Sequence, residues 1–272
     1  MAPQVSVIIP TMKGREALLE KLLKSLPEDV EKIVVGDDNL LLAAKRNKGA
    51  RQAKGKYLLF IDDDNYIKEF SVSMMVKDFS ENIGVMGMVA CYDDKKRRVA
   101  DGGSYRTYLT GFTQGQHTNA AILDLPLSFY LVDEVANAFM IPREVFDAAG
   151  GFDELNFPID LDEADICKRI IDMGYLVAMN PRAICYHKSQ TYSHVPDFRR
   201  PMNAYFMGRN RILYQKKHLS KLKLAVYFAI FCPIFVFAYA ACLLYRRKPA
   251  MVIHFLKGVR DGISGRKENP YQ

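Results

Sequence analysis

The sequence predicts an α/β fold, a mostly parallel sheet flanked by helices, followed by an apolar helical segment near the C-terminus. Three observations carry this. Short apolar runs alternate with helix-patterned stretches, acidic residues follow directly on two of those runs, and residues 224–245 form 22 consecutive positions without a charge.

In chain order, residues 5–10 (VSVIIP) make a short apolar strand, and residues 15–26 set leucines and lysines at helical spacing. Residues 31–35 form a second strand, 41–53 a second helix and 57–61 a third strand. Strand–helix–strand units of this length need crossover connections, which are right-handed and leave the strands parallel. Further on, 83–91 and 135–141 are strand-like, 93–116 is polar, Gly150-Gly151 marks a turn, and a helix is expected near 163–173.

The net charge of +7 over 272 residues is unevenly divided. Residues 1–198 carry 23 Lys/Arg against 29 Asp/Glu, and residues 199–272 carry 15 against 2. An acidic body with a basic end argues against a nucleic-acid partner, which would favour a uniformly basic surface. The five cysteines form no CxxC pair, which argues against a disulfide framework or a zinc site. Residues 1–10 are too short for a signal peptide and lead straight into a strand.

Leu224 to Tyr245 would reach about 33 Å as a helix, enough for a hydrocarbon core of about 30 Å. Lysines precede it and Arg246, Arg247 and Lys248 follow it, so charge does not orient it across a membrane. Pro233 near its middle would kink a spanning helix or turn a re-entrant one. Beyond it, residues 251–259 suit a helix lying on a membrane surface. The basic flanks suit anionic lipid.

In open α/β sheets, ligands bind beyond the carboxyl ends of the strands. Here those ends carry Thr11, then Asp37-Asp38-Asn39, then Asp62-Asp63-Asp64. Clustered carboxylates repel one another unless a cation neutralises them. Hard oxygen donors suit Mg2+ or Mn2+, completed by substrate phosphates. There is no GxxxxGK[ST] loop, no GxGxxG after a strand and no GxSxG elbow. In residues 150–175, Asp160, Asp162, Glu163 and Asp165 are expected to open a helix. The helix dipole favours acids in a first turn, but four in six residues exceeds that need, and one placed in a cleft would serve as general base.

The motifs VSVIIPTMKGREALLEKLLKSL, IVVGDDN, AAKRNKGARQAKGKYLLFIDDD, GGFDE closing on DEADIC, and Tyr186-His187 together resemble family 2 glycosyltransferases of the GT-A fold, over roughly residues 4–190. The segment 209–218, the apolar run and the closing DGISGR are similar to membrane-associated members. The resemblance implies an inverting, metal-dependent transferase using a nucleotide-sugar donor and a lipid-linked or glycan acceptor, with its catalytic domain on the cytoplasmic face of a membrane. It implies that Thr11 and Asp37 line the nucleotide pocket, with Asp38 the alternative because Gly36 shifts the acidic pair. Arg46 and Asn47 match the family's RN and would approach the nucleotide or its diphosphate. Asp62, Asp63 and Asp64 match the DXD-type motif, with Asp64, Asp62 and His187 as metal ligands. Asp133 and Glu134 fall near the acceptor, and Asn137 stands where many relatives have Gly. The family's Glu-Asp pair is reversed here, so Glu163 takes the base position and Asp162 is the alternative.

The expected organisation is a catalytic domain over 1–198, a basic juxtamembrane segment over 199–223, a transmembrane or re-entrant helix over 224–245 and a basic amphipathic tail over 246–272. Two other classes fit parts of the pattern: a sugar nucleotidyltransferase, and a membrane-tethered scaffold of the same fold that has lost catalysis.

Overall fold

The structure, a computed structural model, describes residues 3–187, 200–266 and 270–271. The chain forms two compact units. The first takes Met1–Tyr105, Gln114–Asp153 and Asp162–Tyr192; the second takes Arg106–Thr113, Glu154–Leu161 and Ser193–Gln272. The second unit therefore draws two short segments from within the first 198 residues. The expected boundary at 198 lies outside the described residues.

In the first unit, β1 (Val5–Pro10), α1 (Glu16–Ser25), β2 (Glu31–Val35), α2 (Leu42–Gln52) and β3 (Tyr57–Ile61) follow the expected alternation within a residue or two. Then come β4 (Asn65–Ile67), α3 (Ser71–Asp78), β5 (Ile83–Tyr92) and β6 (Val99–Asp101), then β7 (Ser104–Thr107) and β8 (Phe112–Gly115), whose residues within Arg106–Thr113 belong to the second unit. The set closes with β9 (Tyr130–Leu131), β10 (Ala138–Pro142), α4 (Arg143–Ala148), α5 (Asp162–Asp172) and β11 (Leu176–His187).

The main sheet runs β2-β1-β3-β10-β5-β11-β4. Strands β2, β1, β3, β5 and β11 share one direction, and β10 and β4 oppose them. Every residue of β1, β5 and β10 is buried, as strands covered on both faces must be. Alternate side chains feed two cores. Ile8 and Phe60 join Phe139, Phe146 and Phe152 on one side, and Val7, Ile9, Leu59 and Ile61 join Leu22 and Met75 on the other.

Three elements differ from the sequence expectation. Strand β10 starts at Ala138 because Asn137 takes a left-handed backbone, φ 64°. Asp160 and Leu161 are also left-handed, φ 67° and 63°, so α5 begins at Asp162 and Asp160 stands outside it. Strand β11 was hidden by Pro181 and Arg182, where its pairing with β5 shifts register between Asn180 and Ile184.

The second unit is built on α6 (Pro201–His218) and α9 (Pro249–Ser264). They cross so closely that a Cβ on Gly258 would stand 2.0 Å from the Tyr205 carbonyl oxygen, and one on Gly208 would stand 2.5 Å from that of Phe255. Arg209 on α6 is fully buried, and its guanidinium donates to the carbonyls of Leu155, Asn156 and Arg266. Asn210 donates to the carbonyls of Ile159 and Asp160, tying the segment 154–161 to α6. Between these helices, α7 (Lys221–Val226) and α8 (Cys232–Tyr245) are joined by a π-turn over Tyr227–Phe231. The wide turn sits just before Pro233, whose missing N–H breaks the regular ladder. Together they form a 25-residue helix, Lys221–Tyr245, whose most apolar 18-residue stretch has a mean hydropathy of 2.2. Tyr227, Cys232, Phe235 and Leu243 are buried against α6 and α9, whereas Ile230, Ile234, Phe237 and Leu244 are exposed. The tail expected as a surface helix is α9, and its Phe255, Gly258, Val259 and Gly262 face is committed to packing.

Candidate active site

The centre of the first unit is Arg46 on α2. Helix α2 lies hard against β1, because Gly49 leaves no side chain where a Cβ would meet Ile8 Cγ2 at 2.4 Å. That approach buries Arg46 completely, its guanidinium 5.5 Å from the rings of both Phe139 and Phe152. A buried cation needs paired charge. Arg46 finds it at Asp162 Oδ2 (2.6 Å), Glu163 Oε1 (2.7 Å) and Asp62 Oδ1 (2.9 Å). The end of β3 and the first turn of α5 are thereby joined through one side chain.

The two carboxyls of α5 differ. Asp162 is fully buried, and its Oδ1 accepts no hydrogen bond. Burial, and then the Glu163 charge, hold its pKa well above the usual carboxylate range. Glu163 retains 17% of its side-chain surface. Burial opposes its ionisation, but Arg46 and a hydrogen bond from Asp162 overcome this and lower its pKa. Asp162 is thus biased toward its protonated form and Glu163 toward its charged form.

The three aspartates after β3 part ways. Burial, with Glu163 and Asp64 nearby, pushes Asp62 up to about 6 despite Arg46. Its backbone N–H is fixed by the Asn137 carbonyl at 3.0 Å. Asp63 turns inward, accepting from Thr11 Oγ1 at 2.6 Å and pairing with Arg15 at 2.7 Å, and burial raises its pKa. Asp64 turns toward solvent, pairs with Arg15 at 2.8 Å and lies 3.4 Å from His187 Nε2. Burial acts to raise Asp64, but His187 and Arg15 outweigh it and hold it at about 2. His187 is raised in turn, Asp64 outweighing the effect of burial.

Other expected site residues have partners of their own. Asp37 pairs with Lys48 at 2.9 Å, and Asp38 accepts from the Lys13 N–H at 3.3 Å, both at the end of edge strand β2. Asn47 is engaged within the fold: its amide donates to the Phe152 carbonyl and accepts from the Phe152 N–H, each at 2.9 Å, so it clamps the turn after Gly150-Gly151. Glu134 pairs through its backbone with Ser104.

Four residues were not foreseen as part of this group. Arg15 bridges Asp63 and Asp64 from the loop before α1, and Lys45 donates to the Thr11 carbonyl at 2.6 Å. Asp101 is buried, accepting from the Gly103 N–H and from Asn137 Nδ2 at 3.1 Å, and burial raises its pKa. Asn137 itself holds both Asp62 and Asp101. Spacing hid them: Asn137 meets Asp62 and Asp101 only once β10 is inserted antiparallel between β3 and β5, and Arg15 and Lys45 meet their partners only once α1 and α2 pack beside β1 and β3.

Among the described residues no three His, Cys, Asp or Glu side chains form a metal cage. Asp64 and His187 do fit two ligands of a divalent cation, being adjacent, partly open and of oxygen and imidazole type. Asp62, expected as a third, is instead held by Arg46. The raised pKa of Asp62 nevertheless marks a surplus of negative charge that a cation would relieve.

Residues 7–218 match the family described as "Glycosyltransferase like family 2". Among solved structures, the chain is similar to GalNAc-T7 with UDP, GalNAc and Mn2+, at 13% identity and a TM-score of 0.55, over 69% of this chain and 44% of that one. The chain therefore spans less than half of that protein's length. It is also similar to the mannosyltransferase PcManGT from Pyrobaculum calidifontis in complex with GDP-Man and Mn2+, at 15% identity and a TM-score of 0.49, over 98% of this chain and 88% of that one. No curated protein matches it. The first of these likenesses bears on the fold, a GT-A arrangement with a mostly parallel central sheet.

Proposed function

The chain belongs to the glycosyltransferase-like family 2, and on that premise we propose that it transfers a sugar from a nucleotide-sugar donor to an acceptor hydroxyl, with inversion at the anomeric carbon. The observation that carries the reading is the unequal pair on α5. Glu163 is ionised, partly open and fixed in place by Arg46, which are the properties a general base needs. Asp162, buried and protonated, serves as its hydrogen-bond donor rather than as the base.

Glu163 removes the proton of the acceptor hydroxyl as its oxygen attacks the anomeric carbon. The bond from that carbon to the diphosphate oxygen breaks on the opposite face, and the nucleoside diphosphate leaves. No covalent sugar–protein intermediate is formed. Thr11 and the end of β2, with Asp37 and Asp38, line the nucleotide side. Arg46 positions Glu163 and Asp62 and touches neither substrate. Asp64 and His187 would hold Mg2+ or Mn2+, which when bound neutralises the diphosphate and favours its departure. The UDP and Mn2+ of the GalNAc-T7 structure support both a nucleotide-sugar donor and a divalent cation here.

The apolar helix supports an acceptor presented at a membrane, lipid-linked or glycan, with the catalytic unit on the cytoplasmic side. We read this helix as entering the bilayer without crossing it. Arg211 on α6 stacks 4.5 Å from the Phe235 ring, near the helix midpoint. A guanidinium at the centre of a bilayer costs about 2.5–3.5 kcal/mol on insertion scales. With both basic flanks on one side, both obey the preference for positive charge in the cytoplasm.

The test is binding of UDP, GDP and dTDP to the detergent-purified chain, with and without Mn2+, beside Asp64→Ala and Glu163→Gln. One nucleotide binding in a Mn2+-dependent way, lost in Asp64→Ala and kept in Glu163→Gln, is the expected result. No nucleotide binding by folded protein overturns the transferase reading and favours a scaffold.

A further inference from the structure

The second unit contains a second polar centre, away from the chemistry assigned above. On α6, Arg211 and Gln215 lie one turn apart over Gly111, which takes φ 71°. A Cβ there would meet Gln215 Nε2 at 2.5 Å and Arg211 Nε at 3.4 Å, so the bare glycine lets both groups converge. Arg211 donates to the Gly111 carbonyl at 2.6 Å, and Arg106 donates to the same oxygen at 3.2 Å. Two guanidiniums thus share one neutral acceptor.

The polar groups left over are unusual. Arg211 Nε, both ends of the Gln215 amide and the Tyr227 hydroxyl are buried without a hydrogen-bond partner. Gln215 is 1% exposed and Tyr227 fully buried. Buried polar groups left without partners are costly, so a fold that keeps several together calls for a ligand to meet them. Arg211 makes no ion pair among the described residues, and Asp160 acts on it only through space. Burial lowers its pKa, and the charge of Arg106 adds to this.

We infer that Arg211, Gln215 and Tyr227, backed by Arg106, form a binding site for the phosphate group of a membrane lipid. The Arg211 guanidinium with its unpartnered Nε–H, beside the Gln215 amide N–H and the Tyr227 hydroxyl, matches a multi-oxygen anion. The lipid source follows from the surroundings. Phe112, half exposed, lies 5.2 Å from the Arg211 guanidinium, and Phe235, on the other side at 4.5 Å, belongs to the helix whose Ile234 and Phe237 are exposed. A phosphate seated there has its acyl or prenyl chain beside an apolar helix. The inference deepens the reading of a membrane-borne acceptor and rests on it.

The experiment measures binding of dioctanoyl phosphatidic acid, dioctanoyl phosphatidylcholine and inorganic phosphate to the full chain in neutral detergent. It uses wild type, Gln215→Leu and Arg211→Gln, with thermal unfolding and nucleoside diphosphate binding recorded on each. Phosphatidic acid is expected to bind, phosphatidylcholine not, and inorganic phosphate only weakly. Each variant should lose about tenfold or more in phosphatidic acid affinity, the cost of one hydrogen bond to a charged group, while nucleotide binding holds. If Gln215→Leu raises the melting temperature and leaves lipid affinity unchanged, the unpartnered atoms are packing faults and the site is overturned. Inorganic phosphate binding as tightly as the lipid overturns the lipid source. Lipid binding without any nucleotide binding sinks the transferase reading and leaves this one standing, so the two failures are distinguishable.

Discussion

Asp162 and Glu163, neighbours in the chain, share one nitrogen of Arg46 yet hold opposite charge states. The difference comes from Arg46, whose charge outweighs burial at Glu163, which keeps an open edge, and does not at the fully buried Asp162. Glu163→Gln should lower turnover by about 10²–10⁴-fold and leave nucleotide affinity unchanged. Asp162→Asn preserves a donor toward Glu163 and should keep most activity. Because the pKa of Glu163 is lowered, the acid limb of the kcat profile should lie below about 4.3, the ordinary glutamate value. Steady-state kinetics across pH check all three, and an acid limb near neutrality would point to another base.

Asp62 carries a cost that its function explains. Its folded pKa of about 6 lies above the unfolded value of about 3.9, so the ionised form is disfavoured in the native state. The penalty is fully present above the folded pKa and disappears as pH falls toward the unfolded one. Asp62→Asn should therefore stabilise the protein by about 1–2 kcal/mol at pH 7.5 and abolish that gain near pH 4, while reducing activity. Denaturant unfolding at the two pH values measures it.

Arg15 occupies the carboxylate that a divalent cation needs, at 2.8 Å from Asp64. Arg15→Gln should tighten Mn2+ binding, and Asp64→Ala should remove it. Titration calorimetry with Mn2+ alone reads both changes. Weaker Mn2+ binding in Arg15→Gln would show that the arginine helps to build the site rather than competing for it.

The placement of α2 rests on a single missing methyl. Gly49→Ala forces Ile8 or the helix to shift and should cost about 1–3 kcal/mol, with loss of activity through a displaced Arg46. A melting temperature equal to that of wild type would show that the core can absorb the methyl.

The parallel core was legible because buried strands announce themselves: β1, β2 and β3 were read from runs of Val, Ile, Leu and Phe with their bounds intact. The acids beyond the ends of β2 and β3 were legible for the same reason, since strand ends are fixed once strands are. What each acid does was not. Asp62, Asp63 and Asp64 look alike in sequence, and only Arg46, Arg15, Thr11 and His187, brought from three other segments, give them different charges and directions. Asn47 matched a family pattern but spends its amide on Phe152, a contact 105 positions away. The Gly-like position of Asn137 has a simple basis: its left-handed φ is one that Asn tolerates better than most residues.

The glycine-lined crossing of α6 and α9 fixes an order of assembly. The ribosome delivers α6 first, then the apolar helix, and only afterwards α9 and the carbonyl of Arg266 that completes the hydrogen bonds of Arg209. During synthesis, α6 thus waits with its glycine face bare, and the apolar helix is made before α9 can cover its inner side. Closure of this unit is therefore a late event, and a nascent chain stalled before α9 would expose a buried arginine with its shell unfinished.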